Sequence, residues 1–192
     1  MRSVKEDKNL IKKTLTKSDC IYLAGVLDTC GSICAKIVRD DTHEYKFAIC
    51  VEIKITQHKK YRWWLNQIEK KIEGANVNYA TNTNDSAVKM IDSLIVNSLP
   101  RVREFLKKLV PHLRLKQKQA NRAIEIINRY YKKKKTGAEL VELCKLVDSI
   151  SRLNYSENQK ITSVVVIREL KKLGVIPKDY PEIDSDFNNE TC

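Results

Sequence analysis

Residues 45–57 read YKFAICVEIKITQ, and their alternation constrains the fold more than any other stretch. Ile49, Val51, Ile53 and Ile55 fall on one side of an extended chain, while Cys50, Glu52, Lys54 and Thr56 fall on the other. A period of two over this length marks a half-buried strand. Upstream, SICAKIV predicts a partner strand, and the polar RDDTHE between them predicts a hairpin turn. A sheet with one apolar and one polar face needs helices on its apolar side.

The flanking segments supply them. Thr16 and Asp19 form a capping-box pattern, so a helix is expected from there to about Thr29, with Gly31 as its stop. KKYRWWLNQIEKKIEG reads as a helix, with Trp64, Ile68 and Ile72 at helical spacing and both tryptophans expected in the core. NVNYATNTNDSAVKMIDS predicts a second hairpin turning near Asn84 and Asp85. Pro100 suits the start of a helix that ends near Pro111. LKQKQANRAIEIINRYY continues with an apolar stripe of Ala120, Ala123, Ile124 and Ile127. Lys132–Lys135 reads as a linker, and two further helices are expected over 138–153 and 162–173. Residues 1–15 form a basic extension, 16–173 the folded domain, and 174–192 an acidic, flexible tail. The resulting order, α-β-β-α-β-β-α followed by helices, is an α+β class.

Charge narrows the partners. The chain carries 36 Lys+Arg against 24 Asp+Glu, a net +12. One lysine against five acids leaves residues 174–192 at −4, so the remainder holds +16. A body this basic is built to meet a polyanion. No apolar run approaches the roughly 20 residues of a membrane span, and no signal-peptide core follows the start. Nucleic acid is therefore the expected partner, and a membrane is not. Cysteines 20, 30, 34, 50, 144 and 192 form no Cys-x-x-Cys pair, which fits reduced thiols in an intracellular compartment. His43, His58 and His112 are scattered and suggest no metal cluster. The polar strand faces offer a surface for a DNA major groove: Lys36, Glu52, Lys54, Thr56, Tyr79, Thr81, Thr83 and Lys89. Lys118 and Lys160 are candidate additions to it.

Residues 23–31, LAGVLDTCG, resemble the signature of the LAGLIDADG homing endonucleases. ITQHKKYRWWLNQI, FLKKLVPHLRLKQKQAN and LVELCKLVDSISRLN are similar to successive segments of the single-motif enzymes encoded in green-algal organelle introns. The likeness spans residues 16–173. It implies an αββαββα fold, an extended near-palindromic DNA site read by curved sheets, and signature helices that pack together at the centre. With one signature in the chain, it implies a homodimer meeting through 18–29, with Leu23, Ala24, Gly25 and Asp28 at the interface. An organellar location follows by the same resemblance.

The resemblance also implies Mg²⁺-dependent hydrolysis, with the last acidic residue of the signature holding metal. Cys30 stands at that position. A thiol is a soft donor, whereas Mg²⁺ takes hard carboxylate oxygens. Asp28 lies two residues away, about 200° around a helix, and so faces elsewhere. Gln57 matches a residue that orders water in the family, and Lys116 a basic residue near the scissile phosphate. Tyr61 replaces a further basic position. The expectation is a DNA-binding dimer with cleavage lost or impaired and no cofactor. One alternative is an active Mg²⁺-dependent endonuclease. Others are an RNA-binding maturase or ribonucleoprotein subunit, and a heterodimer with an acid-bearing partner.

Overall fold

The computed structural model describes residues 15–79, 90–131, 135–155 and 160–182. Its elements are α1 (Lys17–Cys30), β1 (Gly31–Arg39), β2 (Phe47–His58), α2 (Arg62–Glu69), β3 (Ala75–Asn78), β4 (Ile91–Val96), α3 (Leu99–Leu109), α4 (Gln117–Tyr130), α5 (Gly137–Leu153) and α6 (Ser163–Lys172). The strands form one antiparallel sheet in the order β1-β2-β4-β3. This is the α+β arrangement expected from the sequence.

The capping box at the start of α1 forms as read. Thr16 Oγ1 accepts from Asp19 N–H at 3.1 Å, and Asp19 Oδ2 accepts from Thr16 N–H at 3.1 Å. The Lys71 ammonium also reaches Asp19, and with Thr16 it lowers that carboxyl to about 2. At the other end, Gly31 is extended (φ −104°, ψ 166°), not left-handed. Its absent side chain matters for space: a Cβ there would sit 2.5 Å from Leu27 Cδ1 and 2.9 Å from Leu27 Cα. The chain therefore turns from helix into strand against its own last turn.

The β2 alternation is realised. Ile49, Val51, Ile53 and Ile55 are buried, and they join Ile33, Ala35 and Ile37 of β1 against the helices. Burying a side chain of this size contributes about 1.5–3 kcal/mol, so this seam accounts for much of the sheet's hold on the helices. Three packing expectations change. Trp63 is 59% exposed, and Trp64 is only partly buried, with its indole N–H donating to Tyr22 O–H at 2.6 Å. Leu65 and Ile68 take the core positions instead, because α2 spans only eight residues and its phase is set by them. In α4 the stripe runs through Ile126, and Ile124 lies at its margin.

The tail departs from the expected loose extension over its described part. Ile176 is buried, and Tyr180 packs at the edge of the same core. Gly137 makes room for this: a Cβ there would lie 2.5 Å from Val175 Cγ1. Glu182 then pairs with Arg168 at 3.3 Å and Lys171 at 3.6 Å on α6.

Candidate nucleic-acid interface and cleavage centre

The register sets the polar face. Lys36 stands opposite Cys50, Cys34 opposite Glu52, Ser32 opposite Lys54, and Thr56 opposite Ser93. Lys36 Nζ meets Glu52 Oε1 at 3.0 Å, and hydrogen bonding to Glu52 raises the lysine's pKa. Lys36, Glu52, Lys54 and Thr56 thus share one surface. Tyr79 does not belong to it. Its hydroxyl donates to Asn66 Oδ1 of α2 at 3.1 Å, and Arg62 stacks on its ring at 4.5 Å. Asn76 and Asn78 occupy the polar face instead, opposite Ile95 and Ser93. The pairing of β3 with β4 decides this parity, and a short strand gives little periodicity from which to read it. Thr81, Thr83 and Lys89 lie outside the described residues. Lys118 is exposed in the first turn of α4, and Lys160 borders the outer edge of β1.

The end of α1 gathers the other candidates. Cys30 is exposed, and Gln57 Nε2 donates to its Sγ at 3.4 Å. Thr56 Oγ1 donates to Cys30 O at 3.5 Å. Lys116 reaches the Asp28 carbonyl oxygen with its ammonium. Cys30, Gln57 and Lys116 therefore surround one helix terminus. Tyr61 is 43% exposed with Lys60 Nζ 4.8 Å from its ring centroid, while the neighbouring Arg62 is committed to the fully buried Asp92 at 2.8 and 3.1 Å.

Asp28 has a structural task that sequence reading could not see. Its Oδ2 accepts from Arg114 N–H at 2.7 Å and its Oδ1 from Lys116 N–H at 2.9 Å. Burial alone would raise this carboxyl; the amides of Arg114, Lys116 and Leu115, with the Lys116 charge, outweigh it and hold the pKa below the usual range. Both oxygens are thus engaged at 8% exposure. Among the described residues, the set at the helix end comprises a thiol, an amide and an ammonium, with no carboxylate oxygen turned outward. These residues do not fit Mg²⁺. Among the described residues no three His, Cys, Asp or Glu side chains form a group able to hold a metal ion.

The expected dimer contacts also need correction. Leu23, Ala24 and Asp28 are buried within their own protomer, because that face of α1 packs on the sheet and α3. The outward face carries Ile21 (52% exposed), Tyr22 (54%), Gly25 and Thr29. A Cβ at Gly25 would meet nothing within 4 Å. A glycine inside a helix costs about 1 kcal/mol relative to alanine, so an exposed one with open space above it suits close approach by another backbone.

No protein-family model matches the chain. Curated relatives do. It is 32% identical over 165 residues to DNA endonuclease I-CreI of Chlamydomonas reinhardtii, covering 86% of this chain and 96% of that protein. It is 29% identical over 153 residues to DNA endonuclease I-CvuI of Chlorella vulgaris, covering 80% and 90%. The crystal structure of I-CvuI in complex with its target superposes with a TM-score of 0.73 at 27% identity, covering 83% of this chain and 97% of that one. A four-stranded sheet with one polar face, entered from a signature helix, defines the LAGLIDADG homing endonuclease class, and the chain belongs to that family. Among the described residues, no helix is long and apolar enough to cross a membrane.

Proposed function

We infer that this protein binds a long, near-palindromic DNA site as a homodimer and that its strand cleavage is lost or strongly impaired. The observation that carries this reading is the end of α1, where Cys30 stands in place of a metal-binding acid and Asp28 is consumed by backbone amides. Support for DNA comes from the basic balance of the chain, the shared polar face of Lys36, Glu52, Lys54 and Thr56, and the relative solved in complex with its target. Support for the dimer comes from the single signature and the exposed stripe of Ile21, Tyr22, Gly25 and Thr29. The algal relatives fit an organellar location.

Nothing at the helix end becomes favourable on binding a hard cation, so target affinity in EDTA should equal that in Mg²⁺. Cys30→Asp supplies the missing carboxylate beside Gln57 and Lys116. The variant should gain Mg²⁺-dependent cleavage of a bound target, limited by Tyr61. Robust Mg²⁺-dependent double-strand cleavage by the unaltered protein would refute the reading. Cleavage only with a softer ion such as Mn²⁺ or Zn²⁺ would make the Cys30 thiolate a ligand in its own right. Gly25→Trp should yield a folded monomer by sedimentation, since a Cβ at this exposed position meets nothing within 4 Å in the protomer. A dimer that persists would misplace the interface.

A further inference from the structure

Among the described strands, β1 pairs only with β2 and leaves its other edge open. Asp40 N–H turns toward the hairpin and meets Lys46 O at 3.0 Å, whereas Ile33 O turns away and accepts from Asn154 Nδ2 at 2.8 Å. Strand alternation then directs the N–H and C=O groups of Ala35 and Ile37 outward as well. Along this edge runs a groove of about 1070 Å³ with Leu115, Leu153 and Ile161 in its walls. That volume reaches the upper end of the roughly 300–1,000 Å³ typical of pockets for single small ligands. Among the described residues that line it, four are basic and none is acidic. Lys36 and Arg39 are paired with Glu52 and Glu169. The Lys116 ammonium meets a carbonyl oxygen rather than a carboxylate, and Lys160 is exposed. The groove therefore joins apolar walls to uncompensated positive charge, which suits an anion with apolar surfaces.

Tyr155 borders the same groove under constraint. Its φ is +51°, a left-handed backbone that bulky residues rarely adopt and that glycine usually supplies just after a helix. Its place is fixed from both directions. The preceding Asn154 side chain holds the β1 edge, and Tyr155 N–H donates to Arg152 O at 3.0 Å. Yet the ring is 97% exposed and adds almost nothing to the core. Strain kept at a residue whose ring lies outside the fold points to an external partner for that ring. We propose that the groove binds single-stranded nucleic acid. The Tyr155 ring stacks on an unpaired base, Lys116 and Lys160 meet phosphates, and the open groups of Ala35 and Ile37 bond base edges. The site is separate from the duplex-facing Lys54 and Thr56, and it depends on neither the duplex nor the dimer reading above. A duplex keeps its bases paired and stacked along its length, so it offers the ring no base face there. An extended peptide would also pair with an open strand edge. The acid-free lining and the exposed ring favour a ligand that joins flat apolar faces to negative charge, as unpaired nucleotides do.

Fluorescence anisotropy with the full chain tests this, using labelled oligo-dT and oligo-U of about twelve nucleotides in EDTA. At least one of them should bind. Whichever sugar is preferred supports the site and names DNA or RNA as its source. Tyr155→Gly removes the ring while suiting the left-handed backbone, so its thermal stability should be kept. This variant should lose about tenfold in affinity for the oligonucleotide, and Tyr155→Trp should retain it. Amide resonances of Ala35 and Ile37 should shift when the oligonucleotide is added. Failure of both oligonucleotides to bind would overturn the proposal and leave the edge to an extended peptide. Binding that is indifferent to Tyr155→Gly, or that leaves the Ala35 and Ile37 amides unmoved, would overturn it as well.

A nonspecific DNA duplex measured beside the oligonucleotides separates the two surfaces. Tyr155→Gly should leave duplex affinity within about twofold, and Lys54→Ala should weaken the duplex while sparing the single strand. An equal loss for both ligands in Tyr155→Gly would place the ring on the duplex surface and overturn a separate site. Tyr155-dependent binding of the single strand with no duplex binding would leave this proposal standing and remove the duplex reading.

Discussion

Asp28 and Cys30 are two residues apart on one helix, and the molecule treats them in opposite ways. Asp28 faces inward and satisfies two backbone amides of the segment before α4. Cys30 faces outward, and Gln57 of β2 and Thr29 donate to its Sγ. One position of the signature is tied into the fold, and the other stands at its surface. A scaffold divided this way keeps its shape when its chemistry changes.

Breaking the inner half of the comparison should cost most. Asp28→Ala leaves the Arg114 and Lys116 amides without their acceptor and should destabilise the protein by about 3 kcal/mol in thermal or urea unfolding. The same group sets a pH dependence. Its folded pKa is depressed, so its stabilisation is full above the ordinary carboxylate value near 4 and is lost as pH falls through the lower folded value. Acid titration of unfolding should show that loss in the unaltered protein and not in Asp28→Ala. Equal acid sensitivity would mean the carboxylate is not the anchor.

Gly31→Ala tests the junction between the two halves. The added methyl group meets the backbone of Leu27 at 2.9 Å and should cost about 2 kcal/mol, because the helix end cannot yield without moving β1. A neutral result would show the turn to be slack. The smallest effect lies on the polar face. Lys54→Ala should leave stability within about 0.5 kcal/mol and lower the salt dependence of DNA binding by about one unit of slope. An unchanged slope would remove Lys54 from the interface.

The fold was legible where periodicity was long. The twelve residues of β2 and the Thr16–Asp19 pair state their structure locally, and the sheet follows from them. α1 is apolar around most of its circumference, so its sequence does not say which side faces a partner; Leu23 and Ala24 turn inward only because β1, β2 and α3 lie there. β3 has four residues, too few to fix parity, so its sequence alone does not separate Tyr79 from the face that Asn76 and Asn78 hold. Of the candidate centre, Cys30, Gln57 and Lys116 were named from the family likeness and do converge. The partners of Asp28 could not be named, because they are contributed by a segment far along the chain.

That distance has a kinetic consequence. The bonds from Asp28 to Arg114 and Lys116 close over separations of 86 and 88 residues, whereas β1 and β2 zip together across a short turn. Ordering so long a loop costs entropy before any contact repays it, so the hairpin should assemble early and the Asp28 clamp late. A clamp made after the barrier acts on escape from the native state rather than on arrival there. The aspartate of the signature should thereby lengthen the lifetime of the folded protein, a property independent of whether the thiol beside it ever meets a phosphate.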